Sequence, residues 1–162
     1  MRIDSEKYFD EPAFFMGRLA NLGFVIWHET PTITLVKKVS RTLTRLEQQP
    51  GQGFALIAVL TAKCAPIGAE IRSSIDDGMK THRHAALGMA AIIEVPGVLG
   101  GLTRAIARTM SVVSRTPYPV NTYGSVEEAA RWLPQVMASR GGPRVSARQI
   151  IDAVNVGRHR PD

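Results

Sequence analysis

Cys64 is the single thiol of a 162-residue chain, and it follows Lys63 just after an apolar run, Phe54-Ala-Leu-Ile-Ala-Val-Leu60. If that run is a buried strand, the thiol stands at its C-terminal end, where α/β folds place ligands. A neighbouring ammonium favours the thiolate, and His28, His82 and His84 are of the type that serves a cysteine nucleophile as base. Nothing in the sequence brings these histidines near Cys64, and a lone cysteine is more often a small buried hydrophobe. His82-Arg83-His84 holds two imidazoles at a spacing that suits metal ligation from a strand. At a helix end the two rings diverge, and no third His or Cys lies close in the chain. Ser73, Ser74, Asp76 and Asp77 fall within one helical pattern, with the two carboxylates pointing apart. These residues assemble no catalytic set and no metal set, and they call for no cofactor.

A second chemistry is anion binding. Pro96-Gly97-Val98-Leu99-Gly100-Gly101 joins an apolar run to a helical pattern. Amides at such a helix start, aided by the helix dipole, can hold an anion, and Arg104 lies one turn in. Gly97, Gly100, Gly101 and Arg104 are therefore candidate contacts for a small anion or an acidic lipid headgroup. Neither a Walker lysine nor the G-x-G-x-x-G spacing is present. The same glycines would serve a tight turn and close helix packing.

The net charge of +6 favours acidic partners by steering. Lys37, Arg41 and Arg45 share one helical face, and Arg104, Arg108 and Arg115 share another. Arg140, Arg144, Arg148, Arg158 and Arg160, against Asp152 and Asp162, put half of the excess on residues 139–162. Nucleic-acid binding wants such residues merged into one stripe with aromatics beside them. The ten aromatic residues fall mostly at core positions, so these faces read as solvated and nucleic acid is not the expected partner.

The elements that must position these groups follow from periodicity. Phe14–Leu19 and Phe24–His28 read as a hairpin across Ala20-Asn21-Leu22-Gly23. Ile33, Val36, Val39, Leu43 and Leu46 recur at helical spacing behind Thr32 as cap, and Pro50-Gly51 should end that helix. Phe54–Leu60 and Ala90–Val95 are apolar throughout, as interior strands are. Between them, Ala65-Pro66 opens a helix with Ile67, Ile71, Ile75, Met79 and His82 on one stripe. Leu99, Leu102, Ile106, Met110 and Val113 mark the next helix, and Val120–Tyr123 a short edge strand after Pro117 and Pro119. Ser125-Val-Glu-Glu128 is a capping box for a helix carrying Val126, Ala129, Trp132 and Leu133, which Pro134 should end or bend. After Ser139-Arg-Gly-Gly-Pro143, residues 145–156 have room for one short helix capped by Ser146.

The expected fold is α/β: a mixed sheet of about five strands, an N-terminal hairpin followed by βα units, covered by about four helices. Residues 1–13 read as a lead-in, 14–138 as the domain, and 139–162 as a basic tail. The length suits one domain, and no apolar run approaches the roughly 20 residues of a membrane span. The N-terminal MRIDSEKYFDEP lacks the apolar segment of a secretory signal, and one cysteine makes no internal disulfide. The expected location is the cytoplasm.

This element order, the buried strands near residues 54 and 90, and above all TMSVVSRTPYPVNTYGSVEEAARWL resemble STAS domains of the anti-sigma-factor-antagonist kind. More narrowly, the chain resembles bacterial STAS-like proteins of unassigned role, over about residues 14–137. The resemblance implies a non-enzymatic regulatory module that docks a protein partner. In regulatory STAS domains, the loop after the corresponding strand bears an Asp-Ser-x-Gly-like phosphoacceptor. Here that loop reads Thr61-Ala-Lys-Cys-Ala-Pro-Ile-Gly68, which keeps the glycine and lacks the Asp-Ser pair. The resemblance thus points to Lys63, Cys64, Pro66, Ile67 and Gly68 as the partner-binding residues, without the phosphorylation switch. Small α/β domains commonly homodimerise, but the sequence marks no interface.

Overall fold

A computed structural model describes residues 5–49, 53–114, 116–141 and 145–158, with only the backbone course given for 106–114. The expected helix stop at Pro50-Gly51, the side chains of Ile106, Arg108, Met110, Val113 and Arg115, and Arg144 and Arg160 lie outside what is described.

Six strands form one mixed sheet in sequential order. β1 (Ser5–Asp10), β2 (Phe14–Leu19) and β3 (Leu22–Trp27) are antiparallel. β4 (Phe54–Leu60), β5 (Ala86–Ile93) and β6 (Val120–Tyr123) continue from β3 in parallel. The helices are α1 (Ile33–Glu47), α2 (Ala69–Thr81), α3 (Gly97–Ser114), α4 (Val126–Ser139) and α5 (Ala147–Arg158). The fold is α/β, with one strand and one helix beyond the numbers read from sequence.

The hairpin turn is tighter than expected, because Ala20 adopts a φ of +53° and Leu19 pairs directly with Leu22. Few residues other than glycine, asparagine and aspartate take that conformation cheaply. The Asn21 amide donates to the Gly53 carbonyl and so ties the turn to the entry of β4. Residues 5–10, read as lead-in, form the edge strand β1. Its apolar residues Tyr8 and Phe9 are half-buried against the core, and ions add to their hold. The Glu6 carboxylate accepts from Arg18 Nε and from Arg45, each at 3.0 Å, and Arg18 is itself buried.

β4 and β5 are fully covered on one face and half-covered on the other. Ala55, Ile57, Val59, Ala90 and Ile92 pack against α4 and α5. The opposite face meets α1 through Val36, Val39, Leu43 and Leu46. Thr32 caps α1, accepting from Leu35 N at 3.3 Å, and Ser125 and Glu128 form the expected capping box on α4. Pro134 does not end α4, which runs on to Ser139. Leu133 and Met137, both fully buried, anchor the helix on either side of the proline and hold it in place despite the lost hydrogen bond.

The short helix allowed for in the tail forms as α5. Ser146 and Gln149 cap it reciprocally, at 2.8 and 3.2 Å. Ile150 and Val154 are fully buried. Gly157 is required where it is, since a Cβ there would come within 2.6 Å of Ile26 Cδ1 and 2.7 Å of Phe15 Cδ1. At the end of α5 the Arg158 guanidinium grips the Glu94 carboxylate with both terminal nitrogens. No helix among the described residues is long and apolar enough to cross a membrane.

If α5 belongs to the core, Ile150→Ala should lower stability in denaturant unfolding by about 2–4 kcal/mol, as filled core positions do. A loss under about 0.5 kcal/mol, the level of an ordinary surface change, would show that α5 is not part of the cooperative unit.

Candidate functional site

The parallel strands β3, β4 and β5 end at Trp27, Leu60 and Ile93, and the loops that follow gather at one edge of the sheet. The loop after β4 is fixed at its base. Thr61 Oγ1 donates to the Trp27 carbonyl at 2.8 Å, and Ala65 N donates to Thr30 Oγ1 at 2.8 Å. Within it Cys64 is buried among apolar side chains of the α1 side, and its thiol donates to the Trp27 carbonyl at 3.4 Å. Burial pushes the thiol up from its ordinary value, opposite to the shift a nucleophile needs, and only the Thr61 hydrogen bonds oppose it.

His28 stands directly after β3, its amide donating to the Ala13 carbonyl at 2.9 Å, while His82 and His84 lie away from Cys64. His82 caps the far end of α2, roughly 20 Å along a helix of 13 residues from the loop. It is buried there, with Nδ1 2.5 Å from Glu47 Oε1 and Nε2 2.7 Å from the Ser40 carbonyl. His82 therefore ties the end of α2 to α1. His84 is exposed and approaches the same Glu47 at 3.8 Å. No cluster of three or more potential metal-ligating side chains occurs among the described residues.

The other loop residues face outward. Lys63, Pro66 and Gly68 are exposed and Ile67 is half-buried. Pro66 and Ile67 precede α2 rather than opening it, and the helix starts at Ala69 with Gly68 as cap. A Cβ on Gly68 would touch nothing within 4 Å.

Gly97, Gly100 and Gly101 sit at the start of α3. Gly97 has φ +71°, a backbone conformation that favours glycine, and a Cβ on Gly100 would fall 1.6 Å from the Val95 carbonyl oxygen, so close packing demands the second glycine. Arg104 donates to the Ile93 carbonyl at 3.1 Å. It lines a polar groove with Glu94, Asn121, Ser125 and Glu128 at the ends of β5 and β6. An anion entering this groove would meet two carboxylates as well as the guanidinium.

The apolar feature on the α2 side of the sheet was not legible in the sequence. A cavity of about 190 Å³ runs between the sheet and α2. Its floor is Leu56, Ala58 and Leu60 of β4 beside Met89, Ala91 and Ile93 of β5, in register pair by pair. The paired alanines, Ala58 and Ala91, leave the space. Ile75 and Met79 of α2 form the roof, yet no α2 residue is fully buried, because the helix rests on α1 and stands off the sheet. The lining extends from Phe54 at the start of β4 to Leu60 at its end, about 20 Å for a seven-residue strand. Tyr118 closes one side, and burial, then Asp76, pushes its phenol up to about 12. An apolar cavity of about 150 Å³ stays dry and accepts benzene-sized ligands, so this one is large enough to be occupied. A small residue at a strand centre reveals a cavity only once the register of its neighbour is known.

No protein-family model, no curated protein and no solved structure matches this chain.

The placement of Cys64 sets its reactivity. At pH 8 the native protein should react with Ellman's reagent only as fast as it unfolds, whereas rapid labelling of the folded protein would contradict the buried geometry. Because the folded thiol is raised, its contribution to stability is fully present below the ordinary value near 9. It is lost as pH climbs through the folded value, so unfolding should become easier in that alkaline window.

Proposed function

We propose that this protein is a non-enzymatic binding domain that holds an elongated apolar ligand between α2 and the sheet. The observation that supports the reading is the cavity itself, with a mainly apolar surface and a floor that includes the Ala58–Ala91 pair. An interior at native packing density would close such a space, and leaving it open costs stability, which a ligand would restore. Catalysis draws no support from a buried thiol whose burial raises it, with His82 and His84 at the far end of α2.

A second reading follows the resemblance to STAS domains: a cytoplasmic regulatory module that docks a protein partner through Lys63, Cys64, Pro66, Ile67 and Gly68. Its specific support is the exposed first turns of α3, where Val98 is 92% accessible and Leu99 and Leu102 are also exposed. α3 neighbours α2, whose N-terminal end follows that loop. A partner with an apolar ridge flanked by acidic side chains would complement this surface and Lys63. In this reading Cys64 supports the loop from within, since its side chain is buried.

The two readings separate experimentally. N-phenyl-1-naphthylamine should gain fluorescence with the wild-type protein and be displaced by 1-octanol. Ala58→Leu and Ala91→Leu fill the floor and should weaken binding at least about tenfold while leaving Tm equal or raised, as cavity-filling changes do. Equal binding by the filled variants would remove the ligand reading. A Val98→Asp/Leu102→Asp variant that still captured every partner recovered with the wild type would remove the docking reading.

A further inference from the structure

Thr122 lies on β6 opposite Ala91, and Val120 lies opposite Met89, so both side chains stand on the cavity face of the sheet. Thr122 is 3% exposed, and its Oγ1 is buried without a hydrogen-bond partner among the described residues. Thr122 Oγ1 is the one cavity-lining side-chain atom among the described residues that is both buried and without a partner, and three other polar groups there are engaged. His82 meets Glu47 and the Ser40 carbonyl, Arg72 donates to the Ile67 carbonyl at 2.9 Å, and Thr103 donates to the Leu99 carbonyl at 2.9 Å. A buried hydroxyl left unpaired is costly and becomes favourable once a partner arrives.

Thr122 also borders the polar groove at the C-terminal ends of β5 and β6, so it stands where the apolar cavity meets a polar opening. Resting on the cavity reading above, we propose that Thr122 is the polar anchor of the site. Its ligand is then a single-chain aliphatic molecule carrying one uncharged oxygen function, an alcohol, ester or amide. The chain runs under α2 and the oxygen meets Thr122 Oγ1. An anionic head would find in Thr122 a neutral hydroxyl and no counter-charge, and an unpaired buried charge is heavily penalised. The raised phenol of Tyr118, on the same wall, reports the same antipathy to negative charge.

The test compares 1-octanol with octane by methyl NMR titration of wild type, Thr122→Val and Thr122→Ser. Valine preserves the shape and removes the hydroxyl, so octane should bind both proteins alike. The preference for octanol over octane should fall about three- to tenfold in Thr122→Val, the net worth of one hydrogen bond, and return in Thr122→Ser. An unchanged preference in Thr122→Val overturns the anchor while leaving the cavity as a binding site. Absence of saturable shifts with either ligand overturns both.

Discussion

β4 and β5 are interior strands with apolar side chains on both faces, and that constraint governs the rest of the molecule. A strand in this position must find apolar partners above and below the sheet. On one side α4 and α5 satisfy the demand fully, with Ala129, Ala130, Leu133, Met137, Ile150 and Val154 packed down to zero or near-zero exposure. On the other side α1 satisfies it over β3, but α2 does not complete the cover over β4 and β5. The asymmetry between a closed face and an open one gives the structure its candidate site.

The polar interactions follow from the same layout. Glu6 with Arg18 and Arg45 pins an edge strand that has little apolar surface of its own. His82 with Glu47 and Ser40 holds the last turn of α2 on α1, where the helix lacks support from the sheet. Glu94 with Arg158 clasps α5 to the segment leaving β5. In the first two cases an ion pair or a buried hydrogen bond secures an element with no fully buried residue of its own, and in the third it fixes the end of a helix that the core already holds.

The strand at 54–60 and the helices capped by Thr32 and Ser125 were readable from sequence, because periodicity and capping act over a few residues, while the strand read at 90–95 runs from Ala86 to Ile93. β1 escaped notice because its stabilising partners, Arg18 and Arg45, lie 12 and 39 residues away along the chain. The continuation of α4 past Pro134 depends on burial of Met137, another long-range fact. Cys64 was correctly suspected at a strand's end, but its environment decided its chemistry. The cavity was invisible because it arises from two alanines, 33 positions apart, that only the β4–β5 register sets side by side.

α2 is held very unequally along its length. Its C-terminal end is riveted through His82, while at its N-terminal end Gly68 supplies no side-chain cap and has open space around it. Mechanically the helix is a cantilever, fixed at one end and compliant at the other. A bulky occupant beneath it would lift the free end, beside Lys63 and Pro66, and leave the riveted end in place. Occupancy of the interior would thereby be written onto the outer surface at the loop that follows β4.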